Sequence, residues 1–353
     1  MLRGLSNLKK LYIYENRRLS EIPSGILKKL QNLTTFFASS CSFSSLEEDV
    51  FSDLINSKTV TLKSNKIERL PPNLLRNNIL LTVFSCSNNK ISTLPTRIFH
   101  ELSELRWLFL KFNRLENLPE DVFQNLSSLQ SLDLSENRLT FLHENIFFPL
   151  TNLTFLDLSK NNLTKIIGKL PFGRGKHLNY LRLKNVGLTE WLVINWSEYN
   201  LTYVDFSNNH FDTVKLPIYT PNRMQMNLSN CKIRTIYLDD WKYGFRMPIY
   251  YLSNNEITCD YEQQQFISVF KSNTQLAKKM FLNIENTKFY GEERNLLDNT
   301  SFVIIGNYCP INFDCSAQQD HVMVNCSGKG TIDHHDQSTK FQKFSSRMRR
   351  VSI

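Results

Sequence analysis

The chain has 353 residues, with 42 Lys and Arg against 33 Asp and Glu, giving a net charge of +9. Length alone would allow two or three domains. No apolar run is long enough to span a bilayer. The basic residues are spread along the chain, with one dense group at Arg347, Arg349 and Arg350. Nucleic acid is therefore not the expected partner, although charge alone leaves an anionic ligand such as double-stranded RNA open.

One slot recurs from the start of the chain to residue 255. It holds Asn16, Cys41, Asn65, Asn89, Asn113, Asn137, Asn161, Val186, Asn209, Cys231 and Asn255. The steps of 22 to 25 residues lie in the range of stacked solenoid units. Around Asn137 the apolar spacing is Leu129, Leu132, Leu134, Leu139, Leu142. The Leu-x-Leu pair predicts a short strand whose inward side chains need a neighbouring unit to bury them. The Asn side chain both donates and accepts, so stacked Asn residues should bridge the turns. Cys41 and Cys231 suit a small buried donor slot; Val186 cannot donate and predicts a local break.

In chain order, residues 1–30 form a slightly expanded first unit, 31–56 a loose one and 57–175 the most regular ones. A return path is marked by Phe51, Phe99, Phe123 and Phe147, from which Leu75 departs, and by Pro23, Pro71, Pro95 and Pro119. Three glycines make residues 168–175 an expected mobile loop. Residues 176–258 hold four degenerate units rich in Tyr, Trp and Met. Residues 259–308 form an expected C-terminal cysteine cap with a helix over 261–280, residues 309–330 a second cysteine module, and 331–353 a disordered basic tail.

Cys41, Cys86 and Cys231 fall in repeat slots and are expected to be free and buried. Cys259, Cys309, Cys315 and Cys326 follow the last unit and suggest two disulfides formed in an oxidising compartment. Spacing does not fix their pairing; Cys259–Cys309 with Cys315–Cys326 is the expectation. Glycosylation is expected among the sequons at Asn32, Asn125, Asn152, Asn162, Asn195, Asn200 and Asn299. Asn32, Asn152 and Asn200 share one repeat phase. Asn227 lies on a strand and is less suitable, and Asn325 abuts Cys326. The start at Met1 has no apolar leader and falls within a unit, so the chain reads as a fragment or an abbreviated gene model.

No G-x-S-x-G, H-E-x-x-H or Walker sequence occurs, the histidines are scattered, and no catalysis, cofactor or metal is expected. Adjacent His334 and His335 read as solvated tail residues. Asp133, Asp157 and Asp205 share one strand position, which reads as structural and surface-forming. The outward strand positions of a solenoid sheet are the natural binding surface. Those chosen are Trp107, Phe109, Lys111, Asp133, Phe155, Asp157, Tyr180, Arg182, Lys184 and Tyr203, because aromatics and Arg dominate interface energetics.

The units Leu105/Leu108/Leu110/Asn113/Leu115/Leu118, Leu129/Leu132/Leu134/Asn137/Leu139/Leu142 and Leu153/Leu156/Leu158/Asn161/Leu163/Ile166 resemble the leucine-rich repeat family. The resemblance covers residues 5–260. It implies an α/β-type solenoid: a horseshoe with a parallel concave sheet and a disulfide-rich C-terminal cap. Cys309-Pro310-Ile311-Asn312-Phe313-Asp314-Cys315 with Cys326 is similar to the cysteine module that opens a second repeat block in insect Toll receptors, with Phe313 replacing one cysteine. That resemblance implies the ectodomain of a Toll-like receptor, outside the cell or at its surface. It would bind a protein ligand such as a Spätzle-like cytokine and pair as a homo- or heterodimer, with no signalling domain in this chain. A secreted matrix or adhesion protein and a cytosolic scaffold share the repeat features.

Overall fold

In a computed structural model, the structure describes residues 5–23, 25–164, 177–192, 194, 196–217, 220–238 and 248–258, with four short strands beyond them. The strands are β1 (Lys10–Tyr14), β2 (Thr35–Ser39), β3 (Thr59–Thr61), β4 (Val83–Ser85), β5 (Trp107–Phe109), β6 (Ser131–Asp133), β7 (Phe155–Asp157), β8 (Tyr180–Arg182) and β9 (Tyr203–Asp205). They continue with β10 (Thr213–Leu216), β11 (Gln225–Asn227), β12 (Thr235–Leu238), β13 (Ile249–Tyr251), β14 (Glu256–Thr258), β15 (Phe281–Leu282) and β16 (Lys288–Tyr290). The last two are β17 (Cys315–Gln318) and β18 (His321–Val324).

One strand per unit builds a 12-stranded parallel sheet in the order β1-β2-β3-β4-β5-β6-β7-β8-β9-β11-β13-β15. The register is set by the inward column. Leu108 pairs with Leu132, Leu132 with Leu156, and Leu156 with Leu181, and all four are buried. A one-residue slip would turn every such residue to solvent, which fixes the pairing.

The recurring Asn slot works as a continuous hydrogen-bonded ladder. The Asn137 amide donates to Leu110 O at 3.0 Å and Leu134 O at 2.9 Å, while its Oδ1 accepts from Leu115 N at 3.1 Å. Asn65, Asn89, Asn113 and Asn161 repeat this arrangement one rung apart. Cys231 keeps the donor role, with Sγ 3.2 Å from Phe206 O. The break at Val186 is repaired by backbone: Leu163 N, which would otherwise donate to an Asn, donates to Val186 O at 2.8 Å. Asn209 then accepts from both Val186 N and Leu188 N at 3.1 Å. Gly187 makes this possible, because its φ is +79° and a Cβ there would lie 2.8 Å from Thr164 Cγ2.

The residue before each ladder position is left-handed in all eleven units, from Glu15 to Asn254, with φ between 53° and 60°. Five of the eleven are Asn (Asn88, Asn185, Asn208, Asn230 and Asn254), the non-glycine residue that tolerates this region well. Ser40, exposed at φ 56°, fits less well. Ser40→Gly is expected to raise unfolding free energy by about 0.5–1 kcal/mol and Ser40→Val to lower it, read from urea denaturation curves.

The α/β-type expectation is corrected in one layer: among the described residues the return path contains no α-helix. Its bonds run i→i−3, as in Val122 N to Pro119 O and Leu126 N to Phe123 O. Each segment is a turn or so long, too short to recover the cost of nucleating a helix. Among the described residues the single helical turn is 3-10, at Trp196–Glu198. Inside the return path Phe51, Phe99, Phe123 and Phe147 are buried as expected, and Phe123 stacks on Phe147 with centroids 6.0 Å apart. In the degenerate units the spine gives way to Trp191, Trp196, Phe206 and Phe211, packed at 5.3–6.3 Å.

Those later units also hold a feature missed in the sequence. After the ladder position the chain forms a second run of parallel strands, β10 with β12 and β14 with β16. The signal was present as short alternation, Thr-Val-Lys-Leu and Thr-Ile-Tyr-Leu, whose apolar members are buried. β17 and β18 form an antiparallel pair between Cys315 and Cys326. The side chains of Cys259, Cys309, Cys315 and Cys326, the segments 168–175 and 261–280 as wholes, Asn195, Asn299 and the tail 331–353 lie outside the described residues.

Candidate ligand-binding face

Strand alternation sends every second side chain to the open face of the sheet. All ten residues selected from the sequence lie on β5 to β9 or immediately after those strands. The first open column runs Trp107, Ser131, Phe155, Tyr180, Tyr203, and the second Phe109, Asp133, Asp157, Arg182, Asp205. Trp107 is 36% exposed and Tyr180 46%; Phe109, Phe155 and Tyr203 are half-buried. Tyr180 and Tyr203 face one another at 6.5 Å, and the Arg182 guanidinium lies 5.4 Å from the centre of the Phe155 ring. Large rings on adjacent rungs thus form a nearly continuous aromatic strip, interrupted by Ser131.

The acidic column is less available than sequence suggested. Asp133 Oδ1 accepts from Ser135 N at 3.0 Å and Ser135 Oγ at 2.6 Å. Asp157 and Asp205 accept from Ser159 N and Ser207 N in the same way, and Asp157 is only 6% exposed. Their shared role is to close the turn after the strand. Burial, with the neighbouring Asp157 charge adding to it, raises the Asp133 carboxyl above its usual range despite the Ser135 bonds. Arg182 partly offsets this crowding, with Nη1 3.7 Å from Asp157 Oδ2. Burial first, then Asp205, raises the Tyr203 phenol, whose hydroxyl donates to Asp205 Oδ2 at 3.3 Å.

One residue at this face was not foreseen. Glu136 accepts from both Lys111 at 3.3 Å and Lys160 at 3.2 Å, tying three consecutive rungs together across the end of the strands. Lys111 also lies 4.9 Å from the centre of the Phe112 ring. Lys184 follows β8 at the Lys111 position, with its backbone N donating to Ser159 Oγ. A second aromatic group, Tyr12, Tyr14 and Phe37, sits at the other end of the sheet with centroids 5.0–6.0 Å apart.

Cys41, Cys86 and Cys231 are buried free thiols. Burial pushes the Cys86 thiol far up and that of Cys231 up to about 12, so neither is poised as a nucleophile. Among the described residues no group of three His, Cys, Asp or Glu side chains converges to hold a metal. No described helix is long and apolar enough to cross a membrane.

A sheet of one short strand per unit, an Asn ladder and an open aromatic face define a solenoid of stacked repeats. The sequence model of the leucine rich repeat family matches residues 55–115 and 104–163; these rungs are leucine-rich repeats, and the described solenoid has their fold. A search of curated protein sequences found no match. Among solved structures, the chain is similar to the APL1 leucine-rich repeat domain at 22% identity, covering 74% of this chain and 72% of that one, with a TM-score of 0.54. It is similar to a chain of the Toll–Spätzle complex of Drosophila at 20% identity and a TM-score of 0.54, covering 76% of this chain and 44% of that one. A leucine-rich repeat protein of Leptospira interrogans matches at 23% identity over 72% of this chain and 74% of that one, with a TM-score of 0.54. Likeness at this identity establishes the fold.

Proposed function

We propose that this chain is a ligand-binding ectodomain of Toll-like type, taking a protein ligand of the Spätzle-like cytokine class on the open face of β5–β9. The observation that carries the reading is the aromatic strip with exposed Trp107 and Tyr180, framed by the Lys111–Glu136–Lys160 bridge and by Arg182. Rigid rings backed by a hydrogen-bonded sheet lose little entropy on binding, and such residues are the usual energetic anchors of interfaces. The cysteine module from Cys309 to Cys326 supports the Toll-like part of the reading, as does the similarity to the Toll chain, of which this chain spans less than half.

The extracellular setting rests on the late cysteines and on the sequons. Asn32, Asn152 and Asn200 are exposed at the turn that leads into a strand, and Asn125 and Asn162 are exposed elsewhere. The Asn32 and Asn152 amides each donate to a carbonyl of the preceding rung, Ser6 O and Ser127 O. A glycosylated amide keeps one N–H for that bond. Receptor pairing as a homo- or heterodimer accompanies the reading. A secreted matrix or adhesion protein shares the sequons and cysteines, and a cytosolic scaffold shares only the fold.

Trp107→Ala and Tyr180→Ala are each expected to weaken cytokine binding by about 2 kcal/mol, roughly 30-fold, in biolayer interferometry with the glycosylated chain. The Tyr12→Ala variant should bind normally. Undetectable binding of the wild-type chain to any Spätzle-type cytokine or Toll ectodomain rejects the Toll-like assignment. Free thiols at all four late cysteines in non-reducing peptide mass spectrometry reject the extracellular setting.

A further inference from the structure

The basic residues that look scattered in the sequence are aligned by the fold. The position one residue after the ladder slot holds Lys66, Lys90, Arg114 and Arg138 in four consecutive rungs. Their backbones are fixed in register, since each N–H donates to the preceding rung: Lys66 to Phe43 O, Lys90 to Ile67 O, Arg114 to Ile91 O and Arg138 to Leu115 O, all at 2.8–2.9 Å. Parallel rungs lie about 4.8 Å apart, so the four cations form a file along one lateral edge of the solenoid.

Lys66, Arg114 and Arg138 are exposed and make no ion pair among the described residues. Lys90 pairs with Glu68 at 3.7 Å, itself 65% exposed. Glu68 and Glu116 are the acidic side chains two residues further along these rungs, so the file keeps a net positive charge. Four like charges at this spacing repel one another, which leaves an unmet demand for counter-charge. No sequon occupies this edge along the file; the first at the same position is Asn162, in the next rung. Asn32, Asn152 and Asn200 lie before the strands, whereas the file lies after them.

We propose that this edge binds a linear sulfated polysaccharide laid along the rungs, apart from the protein ligand on the open face. One cation per rung matches a polymer that carries anionic groups at regular intervals along a single line. The choice of a sulfated sugar over a nucleic acid rests on the extracellular reading above.

The test measures binding of the purified chain to a size-defined heparin oligosaccharide by surface plasmon resonance at several salt concentrations. The triple variant Lys66→Gln, Arg114→Gln, Arg138→Gln is compared with Lys28→Gln, Lys58→Gln, Arg76→Gln, which removes the same charge from exposed positions elsewhere. The file variant is expected to bind at least 10-fold more weakly, with a shallower salt dependence, while the control stays within 3-fold. Unchanged circular dichroism and melting temperature confirm that both remain folded. Equal losses in the two variants would reduce the effect to net charge and overturn the site. Tighter binding of duplex RNA than of heparin would reassign the edge to nucleic acid. Because the measurement is made on purified chain, a positive result stands even where thiol mapping rejects the extracellular reading.

Discussion

Asn137→Ala is expected to destabilise the solenoid by about 3 kcal/mol. The wild-type amide donates to Leu110 O and Leu134 O and its Oδ1 accepts from Leu115 N, all at a buried position. Each carbonyl keeps a second donor, from Asn113 and Asn161 respectively, so each loses roughly 0.5–1.5 kcal/mol. Leu115 N loses its acceptor outright, and an orphaned buried donor costs about 1–3 kcal/mol. The backbone repair seen at Val186 is not open to this rung, because Arg138 follows instead of a left-handed glycine and its N–H is committed to Leu115 O. Cysteine occupies the slot at 41 and 231 with its thiol as donor, so Asn137→Cys should cost less than Asn137→Ala. Urea unfolding followed by circular dichroism gives both values. A cost below about 1 kcal/mol for the alanine variant would show that the ladder contributes little.

Phe123→Ala is the second change with a large expected effect, a loss of about 3–5 kcal/mol. Phe123 is fully buried and stacked on Phe147. The rungs above and below are tied to the Asn ladder on the other side of the core and cannot collapse into the void. Phe123→Leu should cost less than about 1.5 kcal/mol, because Leu75 already fills the same position in a native rung. In a solenoid each unit contacts only its neighbours, so a weakened middle rung can uncouple the two halves. A broadened transition with a lower denaturant slope for Phe123→Ala would report that uncoupling. A change below about 1 kcal/mol would mean that the return path closes the gap by itself.

These two expectations concern interactions that were legible in the sequence. The Asn slot, the Phe column and the inward Leu pairs recur at a fixed residue offset, and each acts between one unit and the next. A periodic pattern is enough to identify such contacts, because a residue's neighbours are its own counterparts 24 positions away. The burial of Cys41, Cys86 and Cys231 followed from the same slots. The face formed by Trp107, Phe155, Tyr180 and Tyr203 followed from strand alternation. Other features depended on backbone geometry or on side chains from different slots. The left-handed residue before each ladder position shows in composition only as a preference for Asn. The turn structure of the return path was hidden behind apolar spacing that also suits a helix.

The sequence by itself determined the solenoid, its rung period, its inward columns and which side chains lie on the open face of the sheet, because stacking repeats converts period directly into adjacency. Only the tertiary structure decided how the charges are used. Asp133 and Asp157 proved to be turn-closing acceptors for Ser135 and Ser159, and Glu136 proved to bridge Lys111 and Lys160. Lys66, Lys90, Arg114 and Arg138, each isolated along the chain, became a file on one edge. The physical reason is the same in each case: parallel strands bring residues one period apart to within about 5 Å, a distance at which charge acts strongly and which a linear reading of charge density does not register.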